Sequence, residues 1–199
     1  MRVRRYVVIV TGASGSAYGL RLVEQLLEIG EVTLIFTKRG ADMTAYELGL
    51  VVPSEGAKET VLRYLELPRD LPLRVVPDDD LFDAVSSGSS EFEAVVVAPA
   101  SMGFVGSIAA GLASCLSERA AEVALKERRP LVIVPRETPL NLIHLRNLTA
   151  LAEAGAAIVP AMPAFYQRPG TVDDMVNYVV GKVLDALDIE HELFTRWRS

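Results

Sequence analysis

The chain has 199 residues, half of them hydrophobic and 23% charged, with 20 lysines and arginines against 26 acidic residues and a formal net charge of −6. This composition suits a globular domain with a sizeable core and excludes a disordered chain, while the acidic balance argues against a nucleic-acid binder. A lone Cys115 leaves no intrachain disulfide, in keeping with a reducing, cytoplasmic setting, and no apolar run is long enough to span a bilayer.

Tyr6–Val10 is a continuous β-branched run, the pattern of a strand buried on both faces. Its approach through Met1–Arg5 has the look of a signal peptide, but the apolar run is too short and leads straight into Thr11-Gly12-Ala13-Ser14-Gly15. Residues 17–27 place Leu20, Val23, Leu26 and Leu27 at helical spacing, Gly30 ends that helix, and Val32–Phe36 is a second buried strand. Helices are expected over 39–50 and 54–66, the second capped by Ser54, followed by a short strand over Leu73–Val76. Ala94–Ala98 predicts a strand ending at Pro99. The small apolar residues of 102–113 predict a helix that is buried or at a subunit contact, and 115–128 an amphipathic helix. Then come a strand over Leu131–Val134, a helix over 140–154, a strand over Ala157–Val159 and a helix over 172–187. Strands alternating with helices specify an α/β sandwich with a mostly parallel sheet; no repeat or linker divides it, so residues 1–199 read as a single domain.

Ligands in such folds bind outside the carboxyl ends of the strands. The loop Thr11–Gly19 stands at one such end. Its glycines permit a tight turn, free N–H groups at the helix start favour an anion, and Ser14 and Ser16 add hydroxyl donors, so the loop reads as a phosphate or nucleotide site. A dinucleotide site would place a carboxylate at the end of the second strand. The sequence there is Phe36-Thr37-Lys38-Arg39, which counts against NAD and is compatible with FMN. Ser86-Ser87-Gly88-Ser89-Ser90 offers further donors, or is a flexible surface loop.

Arg119, Lys126, Arg128 and Arg129 could clamp a phosphate, or pair with Glu118, Glu122 and Glu127 as a solvated face. Arg119 and Lys126 are two helical turns apart and share one side of their helix. In Pro135-Arg136-Glu137-Thr138-Pro139, a carboxylate beside an arginine at a strand end suits acid–base work, with Thr138 as N-cap and Pro139 at the first helical position. Tyr166, Lys182 and Arg196-Trp197 could serve a phosphate and wall an apolar or cationic group, or be core packing and a docked tail. His144 and His191 form no ligand pattern, Cys115 is expected to be buried, and Asp78–Asp80 reads as a solvated loop. Zinc spacing, a Walker lysine and a hydrolase elbow are all missing from the sequence.

Taken together, TGASGSAYGLRL (11–22), SSGSS (86–90), SERAAEVALKERRPLVIVPRETPLNLIHLRN (117–147) and PAFYQRP (163–169) closely resemble the flavin prenyltransferases of the UbiX family, nearly end to end. The resemblance implies a Rossmann-like, flavodoxin-type three-layer sandwich, assembled as a homododecamer with active sites at subunit contacts. It implies FMN at Gly12, Ala13, Ser14 and Gly15, with Thr37, Ser101, Met102 and Arg136 nearby, and no metal. The donor would be dimethylallyl phosphate, its phosphate held by Ser14, Arg119, Lys126, Tyr166 and Lys182, partly across subunits. Glu47 and Glu137 correspond to the family's catalytic carboxylates, and Ser14 joins them. The allyl group would bond to N5 and then C6 of reduced FMN, giving prenylated FMN for a separate UbiD-type decarboxylase. Older names call family members aromatic acid decarboxylases.

Three positions depart from the family pattern: Lys182 where arginine is frequent, Ala100 where cysteine is frequent, and Leu81 where an aromatic is frequent, with Phe82 beside it. One alternative is a flavin-dependent decarboxylase of the cysteine-decarboxylase group, whose catalytic histidine and Pro-x-Met-Asn segment have no match here. Another is an FMN carrier, against which Glu137, Lys126 and Tyr166 argue, since storage needs no acid–base residue.

Overall fold

The computed structural model describes residues 3–196. The elements are β1 (Arg5–Val10), α1 (Ser16–Leu27), β2 (Glu31–Phe36), α2 (Lys38–Leu48), α3 (Ala57–Tyr64), β3 (Leu73–Pro77), β4 (Ala94–Ala100), α4 (Met102–Ala109), α5 (Leu116–Lys126), β5 (Leu131–Pro135), α6 (Leu142–Glu153), β6 (Ala157–Ile158) and α7 (Val172–Ala186). Short 3-10 turns stand at Ala84–Ser86 and Phe165–Gln167.

The six strands are ordered β3-β2-β1-β4-β5-β6, and every neighbouring pair is parallel. The chain winds outward from β1 through β2 to β3, then crosses back to β4 on the other side of β1. That reversal opens a crevice at the carboxyl ends of β1 and β4, where doubly wound sheets take their ligands.

Side chains alternate across the sheet with the period of two that strands impose. Tyr6, Val8, Val10, Val96, Ala98, Val132 and Val134 join one core with residues of α1, α3 and α7. Val7, Ile9, Val95, Val97, Leu131 and Ile133 join the other with residues of α4, α5 and α6. Burial on both faces is why the strands read as unbroken apolar runs. At two places helix meets strand with no room for a side chain. A Cβ on Gly19 would lie 2.3 Å from the Ala98 carbonyl oxygen, and one on Gly40 would lie 2.1 Å from that of Val10. Both contacts bring a helix start flush against the crevice.

Several element ends differ from expectation. Helix α3 is capped by Gly56 in the left-handed region, φ 72°, and not by Ser54. Helix α4 stops at Ala109, short of 113, with Gly111 left-handed beyond it. Strand β4 continues through Pro99 to Ala100: its register against β5 shifts between Val97 and Ala100, and that irregularity accommodates a residue without an N–H. Thr138 and Pro139 do not open α6. Asn141 does, because its side chain accepts from the His144 amide at 2.9 Å while the His144 ring accepts from the Asn141 amide at 3.4 Å, a reciprocal cap Thr138 lacks.

Candidate active site

Thr11 ties the two strand ends together at the crevice. Its hydroxyl donates to the Pro99 carbonyl at 2.8 Å and accepts from the Ser101 amide at 2.8 Å. The Gly12–Gly15 loop and the start of α4 are thereby set side by side. Ser101 caps α4 by accepting from the Phe104 amide at 3.3 Å, and Met102 is buried behind it. Thr37 closes the neighbouring side by capping α2 through the Gly40 amide at 3.0 Å. From β5, the Arg136 guanidinium donates to the Ser14 carbonyl at 3.0 Å, and its backbone amide donates to Ala100 at 3.2 Å.

The N–H groups at the start of α1, read from sequence as free for an external anion, are already engaged. Glu47, on α2, accepts from the Gly15 amide at 2.9 Å and from the Ser16 amide at 3.0 Å. A carboxylate is favoured there by the helix dipole and by the unsatisfied donors of the first turn. Burial pushes the Glu47 carboxyl up, but hydrogen bonds from the Ser14 side chain and the Gly15 and Ser16 backbone outweigh it and hold the group below the usual carboxylate value. Tyr18 feels both charges. Burial raises its phenol, Arg136 pulls it down and Glu47 pushes it up again, with a net rise. Glu137 follows Arg136 at the rim, exposed, and accepts from the Thr138 amide at 3.1 Å.

A second cluster unites the serine loop with α5, which the sequence presents as separate motifs. Arg119 donates to the Ser86 carbonyl at 2.9 Å and pairs with Glu122. Arg129 donates to the Gly88 carbonyl at 2.8 Å and stacks over Phe92 at 4.4 Å. Lys126 pairs with Glu127 at 3.2 Å, and its ammonium would lie 2.9 Å from a Cβ on Gly88. Glu118 takes no part: its carboxylate accepts from the amide and hydroxyl of Ser114, at 2.8 and 2.6 Å.

Helix α5 starts beside Asp78, just past the carboxyl end of β3, and runs back toward Pro130, whose carbonyl accepts from Val95 near the amino end of β4. Lys126 therefore sits toward the amino edge of the sheet, while Ser14 and Arg136 sit at the carboxyl edge. One chain does not gather all five residues assigned to the donor phosphate.

The third group lies on α7 and the tail. The Tyr166 and Tyr178 hydroxyls are 3.1 Å apart. Lys182 donates to Asp185 at 2.7 Å, and Asp185 also engages Arg196 at 2.9 Å and His191 at 3.2 Å. Gln167 donates to the Thr195 carbonyl at 2.9 Å, so residues up to Arg196 form a docked tail, and Trp197 lies outside the described residues. Asp78 is not solvated as expected: its side chain accepts from the Ser117 amide at 2.8 Å and starts α5. Cys115 is half-buried rather than buried. Leu81 and Phe82 are both exposed. Among the described residues, no group of three or more His, Cys, Asp or Glu side chains could hold a metal.

The chain matches the Flavoprotein family over residues 1–184. It is 46% identical over 193 residues to the flavin prenyltransferase UbiX of Halalkalibacterium halodurans, covering 96% of this chain and 92% of that protein. The chain belongs to the UbiX family of flavin prenyltransferases. Solved structures agree with this membership. AnUbiX (PadA1) in complex with FMN and dimethylallyl pyrophosphate superposes with a TM-score of 0.85 at 35% identity, covering 100% of this chain and 99% of that one. A dodecameric FMN-dependent UbiX-like decarboxylase from Escherichia coli O157:H7 gives a TM-score of 0.84 at 38% identity, over 98% of this chain and 100% of that one.

Within this UbiX-family chain, sequence reasoning does not point to Tyr18 beside Glu47 and Arg136, to Tyr178 and Asp185 beside Tyr166 and Lys182, or to the hold of Glu47 on the Gly15 and Ser16 amides. Tyr18 lies inside the Thr11–Gly19 loop, so its position is legible in the sequence. Tyr178 and Asp185 sit on an ordinary amphipathic helix, where nothing in their spacing separates them from solvated polar residues.

Proposed function

We propose that this protein is a flavin prenyltransferase that moves a dimethylallyl group from dimethylallyl phosphate to reduced FMN. The product is prenylated FMN, handed on to a UbiD-type decarboxylase. The reading rests on the crevice between β1 and β4, where the Gly12–Gly15 loop is gripped by Arg136 and Glu47. The donor set suits FMN: the backbone amides of Gly12, Ala13 and Ser14, the Ser101 hydroxyl and the further N–H groups of the Arg136 guanidinium can hold a phosphate-bearing flavin, and no carboxylate stands at the end of β2 to take a dinucleotide ribose.

When bound, reduced FMN supplies the nucleophilic N5 and C6. Gly12, Ala13, Ser14 and Gly15, with Thr37, Ser101, Met102 and Arg136, orient it. Glu47 fixes the loop that carries Ser14. Loss of the donor phosphate builds negative charge on the leaving group, which Arg119, Lys126, Tyr166 and Lys182 stabilise together with Ser14. Glu137, at the rim, moves a proton to or from the departing phosphate. Because Lys126 lies toward the opposite edge of the sheet from Ser14, the complete site is assembled between copies, in keeping with a homododecamer. The chain acts as one domain over residues 1–199 in the cytoplasm, and among its described residues no helix is long and apolar enough to cross a membrane.

Mass spectrometry of the flavin, after anaerobic incubation of the protein with reduced FMN and dimethylallyl monophosphate, is expected to show FMN heavier by one dimethylallyl unit. Unchanged FMN with both monophosphate and pyrophosphate donors overturns the reading and leaves the FMN carrier. Carbon dioxide release from a peptide with a C-terminal cysteine would point to the decarboxylase alternative.

A further inference from the structure

We propose that Phe194 is a positioning residue for Lys182: its ring, seated on Gly181, holds the Lys182 ammonium where a donor phosphate can use it. The inference rests on the reading of Lys182 as a phosphate ligand.

A lysine is a point charge on a flexible stem, and part of its value as a ligand is lost when the stem must be ordered on binding. Lys182 has one partner on its own helix, Asp185 at 2.7 Å, and its side chain is 45% exposed. An exposed pair one turn apart holds little by itself. The further restraint comes from the tail. The ammonium stands over the Phe194 ring, 5.9 Å from its centroid, where the negative face of an aromatic attracts a cation. Asp185 is fixed by two residues of the same tail, His191 at 3.2 Å and Arg196 at 2.9 Å. The His191 ring accepts from the Leu193 amide at 3.2 Å through Nδ1, so Nε2 carries the proton given to Asp185. An ammonium has three protons and Asp185 takes one. The others can turn to the cavity of about 530 Å³ that Lys182 lines with Tyr178, Pro160 and Met162.

The seat of the ring explains a residue that α7 would not otherwise favour. Gly181 stands inside a helix of 15 residues, where glycine weakens the helix relative to alanine. A Cβ there would lie 2.5 Å from the Phe194 ring and 2.7 Å from that of His191. With glycine, Phe194 lies flush on the helix beside Lys182, its centroid 5.1 Å from that of Tyr178 and 5.0 Å from that of His191. The next residue ties the tail down: the Thr195 carbonyl accepts from Gln167 at 2.9 Å. The tail therefore closes on both groups that frame the ammonium, the ring beneath it and the carboxylate beside it.

The test compares Phe194→Leu and Gly181→Ala, each with and without Lys182→Ala, by steady-state kinetics with dimethylallyl monophosphate, FMN titration and hydrogen exchange of residues 189–196. Leucine keeps the apolar packing but has no ring face, and alanine strengthens α7 while displacing the tail, so the fold should survive both. Phe194→Leu is expected to raise the donor KM about twofold to fivefold, the size of one partly exposed cation–π contact, with kcat within about twofold and FMN affinity unchanged. Gly181→Ala should raise it about fivefold or more, because Asp185 is released as well, and should speed exchange along the tail. Neither substitution should raise KM further once residue 182 is changed by Lys182→Ala. An unchanged donor KM in Phe194→Leu, or an equal rise with and without Lys182, overturns the positioning role. An unchanged donor KM in Lys182→Ala removes Lys182 from the phosphate site, and this inference with it, while prenyl transfer itself is judged separately by the mass of the flavin.

Discussion

The Gly12–Gly15 loop and the basic helix α5 both invite an anion, yet they hold their charges in opposite ways. At the loop, Glu47 and Arg136 are bound to backbone atoms from other elements, Gly15 and Ser16 for one and Ser14 for the other. Those contacts fix the loop before any ligand arrives. On α5, Arg119 also reaches the Ser86 carbonyl through Nε, but its remaining charge and that of Lys126 answer nearby carboxylates, Glu122 and Glu127, with side chains 33% and 42% exposed. Exposed pairs of this kind contribute little, so a phosphate can replace the carboxylate at small cost. The loop's contacts all lie within one chain, whereas on the proposed reading the helix is a half-site that a second copy completes.

The largest expected effect tests the finished half. Glu137→Gln keeps the hydrogen-bonding shape but cannot take a proton. It should lower kcat about a hundredfold or more while FMN affinity stays unchanged, as checked by single-turnover kinetics and flavin titration. Parental turnover would remove Glu137 from the chemistry.

A smaller effect tests the unfinished half. Arg119→Ala or Lys126→Ala should raise the donor KM about tenfold or more, since a charge-assisted contact to phosphate is lost, with flavin affinity nearly preserved. Mixing an Arg119→Ala variant with a Ser14→Ala variant, both assayed at donor concentrations well below their raised KM, should restore part of the activity after subunit exchange. No recovery, with mixed oligomers shown to form, would place both residues in one chain's site and erase the contrast.

The smallest effect concerns Glu47. Its folded carboxyl lies below the ordinary value of 4.5, so the folded state binds fewer protons than the unfolded one near that pH. Its stabilisation is fully present above the unfolded value and is lost as pH falls through the folded one. Glu47→Gln should therefore cost about 1 kcal/mol at pH 7, roughly 2–4 °C in Tm, and the gap should close under acid. Thermal melts across pH read it directly. A gap that persists once acid has protonated the carboxyl in the folded state as well would mean that the amide's shape, and not the lost charge, is responsible.

The sequence by itself determined the strands, most of the helices, the α/β class and the glycine loop at the carboxyl end of β1. Strands buried on both faces must be apolar throughout, and surface helices must repeat near 3.6 residues, so local pattern carries both. Short-range chemistry also placed Arg136 and Glu137 at a strand end. Element ends were less legible: Gly56 and Asn141 won over Ser54 and Thr138 because backbone conformation and reciprocal bonding decide a cap, and both depend on neighbours. What only the tertiary structure decided were the partnerships. Glu47 reaches Gly15 across 32 positions, and Arg136 reaches Ser14 across 122. The serine loop and α5 became one unit, and Tyr178 met Tyr166. Such contacts depend on strand order and on which side of the sheet each helix crosses, and no local periodicity encodes either.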